Sequence, residues 1–171
     1  MLHPIRTWLG VVALLATSML PVAHSAEVRT TFPVRLEVGN LCTIGKVADV
    51  DFGAVLPTGS PVTHAATGAL SVRCTLHTPY TIRLDGGLHG TVTDRRMRNA
   101  GGQTIAYSLH SGTTGQCGTW GPQWGNGSAG TCIFSSTNHG SEQIISVAGQ
   151  TTLTTAERGN YSDTVTATIT Y

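Results

Sequence analysis

Charge is scarce in this chain of 171 residues: Asp, Glu, Lys and Arg together make up 11% of it, against roughly a quarter in an ordinary globular protein. Ten basic residues face nine acidic ones, so there is no electrostatic footprint for nucleic acid or an anionic membrane. Aromatic residues are few as well, at 6%. The four cysteines form no CxxC unit, which argues against a zinc ribbon or finger. The histidines show no HxH or HExxH spacing, and Gly127-Ser128-Ala129-Gly130 is not a GxSxG nucleophile elbow. Asp85 and Asp94 adjoin turn residues or arginines and read as loop caps and surface ion pairs rather than a carboxylate dyad. The sequence therefore predicts no enzyme, no catalytic or metal-binding residue and no cofactor.

One apolar run stands out, from Trp8 to Leu20 after Arg6, closed by Pro21 and by the small–x–small triplet Ala23-His24-Ser25. It is shorter than the ~20 residues that span a bilayer and has the layout of a secretory signal, with cleavage expected after Ser25 and Ala26 as the alternative. Without Arg6 the remainder is formally neutral. Its four cysteines suit an oxidising compartment. Of the three pairings open to them, the local one closes Cys117 to Cys132 across a Gly-rich segment, leaving Cys42 and Cys74 to staple two strands.

The dominant period after residue 25 is two. Val28, Thr30, Phe32, Val34, Leu36 and Val38 share one face, with Glu27, Arg29, Thr31, Arg35 and Glu37 on the other. Strands are also expected at Leu41–Ile44, Val47–Phe52, Leu70–Leu76, Tyr80–Leu84, Ile105–Leu109, Cys132–Phe134, Ile144–Val147 and Asp163–Tyr171. In the last of these Val165, Ala167, Ile169 and Tyr171 alternate with threonines, whose β-branch suits a pleated surface. Turn signals such as Pro57-Thr58-Gly59, Asp85-Gly86-Gly87 and Asn126-Gly127 separate the runs. Short strands between Gly/Pro turns, with no amphipathic helix, predict an all-β sandwich. Trp120 and Trp124 in the loosest stretch, 112–130, read as local packing rather than a sugar platform. Asn126 and Asn160 head glycosylation sequons.

Several blocks, in order, carry a likeness: Leu41-Cys42-Thr43, Val50-Asp51-Phe52-Gly53, Ser71-Val72-Arg73-Cys74-Thr75, Leu84-Asp85-Gly86-Gly87, Arg95-Arg96-Met97-Arg98-Asn99 and Ile105-Ala106-Tyr107-Ser108-Leu109. The closing Gly159-Asn160-Tyr161-Ser162-Asp163-Thr164-Val165, with the terminal Tyr171, is the most specific. Together they resemble the spore coat protein U domain family, which includes subunits of archaic chaperone–usher pili. The resemblance implies an immunoglobulin-like sandwich lacking its last strand: after the secretory signal at 1–25, a donor-strand extension at 26–39 and the sandwich domain at 40–171. It implies a structural pilus subunit exported through the periplasm to the cell surface. A periplasmic chaperone, an outer-membrane usher and other pilus subunits would be its partners, and no nucleic acid. Val28, Phe32, Val34, Leu36 and Val38 would be the anchors inserted into a neighbour. Val165, Ala167, Ile169 and Tyr171 would border the receiving groove, and the family's first disulfide matches Cys42 with Cys74. Pro33 removes one ladder donor from the proposed donor strand, a loss of about 1 kcal/mol. The alternatives are a coat or surface-layer protein of the same fold, or a single-domain carbohydrate-binding adhesive module.

Overall fold

The computed structural model describes residues 25–112, 117–118 and 120–171; the secretory signal expected at 1–25 lies, but for Ser25, outside the described residues. The chain divides into two units, Met1–Leu36 and Glu37–Tyr171. In the first, residues 25–36 belong to no strand, and Val28, Phe32, Val34 and Leu36 are each at least 80% exposed.

The second unit is built from eight strands and no helix among the described residues. They are β1 (Cys42–Ala48), β2 (Val62–Cys74), β3 (Pro79–Leu84), β4 (Arg95–Arg98), β5 (Thr104–Ser111), β6 (Phe134–Thr137), β7 (Gln143–Leu153) and β8 (Ala167–Thr170). Five form one sheet in the order β1-β2-β7-β5-β4, and three form the other, β6-β3-β8. Every pairing is antiparallel. The two sheets enclose one core, in which Val72, Ile82 and Trp124 are wholly buried and Tyr80, Leu84, Leu109 and Ile145 nearly so. Trp124 reaches this position because its indole Nε1 donates to the Ile82 carbonyl (2.9 Å), which satisfies its one polar group inside an apolar layer.

Cysteines hold the sandwich at two places. Cys42 and Cys74 face each other in the β1–β2 register and are bonded. Cys117 and Cys132 are bonded across the loop between β5 and β6.

The strands depart from the sequence expectation in several places. Residues 28–38 form no strand, and the run expected at Asp163–Tyr171 is a strand only over Ala167–Thr170, Thr166 before it bonding to Asp85. β2 starts at Val62, not Leu70, and pairs along its length with β7, which runs on to Leu153. β4, not anticipated, pairs Arg95–Arg98 with Thr104–Tyr107. Cys132 is not the start of a strand: its amide and carbonyl bond to Gln123 and Gly125, which ties it to the loop, and β6 begins at Phe134. Val47–Phe52 is not a strand beyond Ala48. The β1–β2 register shifts between Lys46 and Ala48, and Asp51 then accepts from the Gly53 amide (2.8 Å) at a turn where Gly53 has φ +66°. Val50 and Phe52 instead lie over Gly68 and Gly149, where any Cβ would collide with them.

Candidate functional site: an apolar groove between two unpaired strand edges

β1 ends one sheet and bonds only to β2; β8 ends the other and bonds only to β3. Between them lies an open cavity of about 470 Å³. Ile44, Lys46 and Ala48 line it from the β1 side, and Asp163, Val165 and Ala167 from the β8 side. Its floor is the core seen from outside: Leu70, Leu84, Leu109 and Val147. A second cavity of about 520 Å³ continues it, sharing Val50, Phe52, Met97 and Tyr161, and runs on between 53–57 and 156–160. The fold therefore leaves an elongated trough flanked by the outer edges of β1 and β8, neither of which is paired to a further strand, a template for one more strand and otherwise an aggregation hazard. Ahead of β8, Ser162 is already paired with Arg98 (2.9 and 3.1 Å).

The β1 rim is short and covalently tied, since its first residue, Cys42, is bonded to Cys74. Just ahead of it, Thr75 holds the chain: its amide donates to the Leu41 carbonyl (2.9 Å) and its hydroxyl accepts from the Leu41 amide (2.8 Å). The β8 rim is held differently. Its regular ladder to β3 covers only Ala167–Thr170. Before that, Asp85 takes over: its amide donates to the Thr166 carbonyl (3.1 Å), and its carboxylate accepts from the amides of Thr166 and Gly87 (2.9 Å each). Burial alone would raise the Asp85 carboxyl, but these amides and the nearby Arg95 charge hold it below the ordinary carboxylate value.

Asp163 completes the rim. One carboxylate oxygen accepts from the Leu88 amide (2.8 Å) and the other from the Tyr107 hydroxyl (2.6 Å). Because Tyr107 stands on β5, this bond crosses from one sheet to the rim of the other within the lining of the groove. Burial first, and then the Asp163 carboxylate, push the Tyr107 hydroxyl far above the ordinary phenol range, so it remains a donor at any physiological pH. Beside it Arg95 is completely buried. Its guanidinium donates to the carbonyls of Asp85 (2.9 and 2.7 Å) and Trp124 (2.8 Å), and burial lowers its pKa against the charges around it.

Of the residues singled out from the sequence, Val165, Ala167 and Ile169 are half-buried and packed on the core, while Tyr171 is half-exposed. Val28, Phe32, Val34, Leu36 and Val38 are all exposed. Asp94 pairs with Arg96 on the surface (3.0 Å). Trp120 is half-exposed against His110, unlike the buried Trp124. The sequence did not reveal Tyr107, Asp163 and Arg95 as a cluster, because their partners lie far along the chain. The described residues contain no group of three or more metal-ligating side chains.

Comparison with known proteins agrees with this architecture. No curated protein matches the chain. Among solved structures, a chain of the CsuC–CsuE chaperone–tip adhesion subunit pre-assembly complex, from the archaic chaperone–usher Csu pili of Acinetobacter baumannii, is similar. It has a TM-score of 0.53 and 23% identity over 78% of this chain. A chain of a chaperone–tip adhesin complex of CFA/I fimbriae biogenesis is similar at a TM-score of 0.52 and 12% identity over 75% of this chain. This chain spans only about two fifths of the length of each, 40% and 41%; the likeness is one of fold, an immunoglobulin-like sandwich. The family model of the spore coat protein U domain matches residues 28–168, nearly all of the strands and the segment before them, and the chain belongs to that family.

Proposed function

We propose that the protein is a non-enzymatic structural subunit of a secreted surface pilus, assembled head to tail by donor-strand exchange. The observation that carries this reading is the groove: an apolar trough flanked by the unpaired edges of β1 and β8. Residues 26–39 are the donor extension and 40–171 the acceptor domain. An 11-residue strand from Val28 to Val38 reaches about 36 Å at ~3.3 Å per residue, enough to pass the groove-lining run from Tyr161 to Ala167 on the far rim. Its backbone would satisfy a rim while Val28, Phe32, Val34, Leu36 and Val38 fill the trough, which is β-augmentation. Thr30, on the same face, is the one polar residue of the set. A periplasmic chaperone covers the groove before assembly, an outer-membrane usher is the place of exchange, and other subunits supply the final strand.

Deleting residues 27–38 tests this. The variant should still co-purify with its periplasmic chaperone, because the groove is intact, and should terminate polymers. The pair Val34→Asp and Leu36→Asp should act in the same direction, since each carboxylate would be desolvated without a partner at a cost of several kcal/mol. The readout is the ladder of SDS-resistant polymers on unheated gels. Polymers of unchanged length from the deletion variant would rule out this segment as the joint.

A further inference from the structure

His77 and His139 are distant in sequence and follow no metal-ligand spacing, yet the fold sets them opposite each other. β3 and β6 pair in a register that matches Pro79 with Thr137. The pairing continues one step past the strand ends: the His77 amide donates to the Asn138 carbonyl (2.8 Å), and the Asn138 amide donates to the Thr78 carbonyl (3.0 Å). Just beyond these bonds, His77 in its turn and His139 stand edge to face. Their ring centroids lie 6.3 Å apart with planes at 84°, and both residues are exposed.

The backbone beneath them is firmly held. Asn138 is wholly buried; its side chain donates to the Ser141 carbonyl (3.0 Å) and to Gln143 Oε1 (3.1 Å) and accepts from the Gly140 amide (2.7 Å). His77 occupies a left-handed conformation, φ +60°, which a residue with a Cβ adopts only where its surroundings impose it. With their ring centroids 6.3 Å apart, the two imidazoles stand within reach of one shared ligand. With metal–nitrogen bonds of about 2 Å, two imidazoles on one tetrahedral ion have centroids roughly 5 Å apart. Rotation of two exposed side chains by about 1 Å at the rings closes that difference.

We propose that His77 and His139 form a two-imidazole site for a divalent transition ion of the zinc and copper class, the ion's remaining positions being taken by water. Imidazole is the ligand this class prefers among exposed side chains. The site stands on its own geometry and not on the assembly reading. It lies at the end of the domain where Thr75 and Thr78 hold Gly39–Leu41, beside the point at which the chain leaves the sandwich.

The test is titration of the full chain, labelled with ¹⁵N at histidine, with Zn²⁺ alone. One ion should bind per chain, with ring shifts at His77 and His139. Asparagine tolerates the left-handed backbone, so His77→Asn preserves the turn; it and His139→Asn should each weaken binding by about tenfold or more. His64→Asn and His89→Asn should leave it unchanged. Affinity in either site variant equal to that of the unaltered chain, shifts centred on another histidine, or no saturable binding at millimolar Zn²⁺ would each overturn the proposal.

Discussion

The two rims of the groove are built on opposite principles. β1 is fixed by a covalent bond at its first residue and by a ladder to β2. β8 has a four-residue ladder, and its approach is fixed by side chains: Asp85 on the Thr166 and Gly87 amides, Asp163 on Leu88 and Tyr107. A covalent tie acts mainly by restricting the unfolded chain and is indifferent to pH. A carboxylate tie is directional, sets the local spacing of the rim, and depends on ionisation. The groove thus has one rim that resists unfolding and one whose position is tuned by polar contacts.

The largest effect should come from removing the covalent rim. Replacing both Cys42 and Cys74 by Ala reopens a loop of some thirty residues, a loss of about 3–4 kcal/mol on the chain-entropy model, measurable as a lower midpoint in denaturant. Asp163→Ala should cost less, about 1–3 kcal/mol, because it leaves the Leu88 amide and the Tyr107 hydroxyl without their acceptor. Its signature is local: amide exchange should quicken along 161–166 and at Leu88 while β1 and β2 stay protected. Equal exchange on both rims would contradict the division between them. The smallest effect should be the acid response of Asp85. Its carboxyl is held below the unfolded value, so the stability it contributes is present above the unfolded pKa and is lost as pH falls through the folded one. Below about pH 4, the ordinary carboxylate value, the Thr166 and Gly87 amide resonances should shift as the carboxylate protonates, and Asp85→Asn should abolish that transition.

Much of this arrangement was legible in the sequence, and the exceptions have physical reasons. The alternation of Val165, Ala167 and Ile169 with threonines marks the β8 rim because one face packs on the core and the other meets solvent. The first half of β2, Val62–Ala69, carries little such signal. It is rich in Ala, Thr and Gly, and Gly68 is required by contact with Val50 and the backbone around it, where any side chain would collide. β4 reads as a run of charge, Arg95-Arg96-Met97-Arg98, yet Arg95 is fully buried. Its guanidinium is satisfied by backbone carbonyls, which leave no trace in composition. Conversely, residues 28–38 have the clearest alternation in the chain and form no strand. Period two records which side chains would share a face; it does not supply the partner backbone that makes a ladder.

The position of Cys42 has a mechanical consequence. It is the first residue of β1 and directly follows Leu41, where the preceding segment joins the sandwich. Tension applied through that segment meets the sulfur bridge before it can unzip the β1–β2 hydrogen bonds one by one. The load passes through Cys74 into the C-terminal end of β2, a 13-residue strand paired on both sides by β1 and β7. There the pull is spread as shear over many hydrogen bonds at once, so the domain should yield at a much higher force than an edge strand peeled from its end.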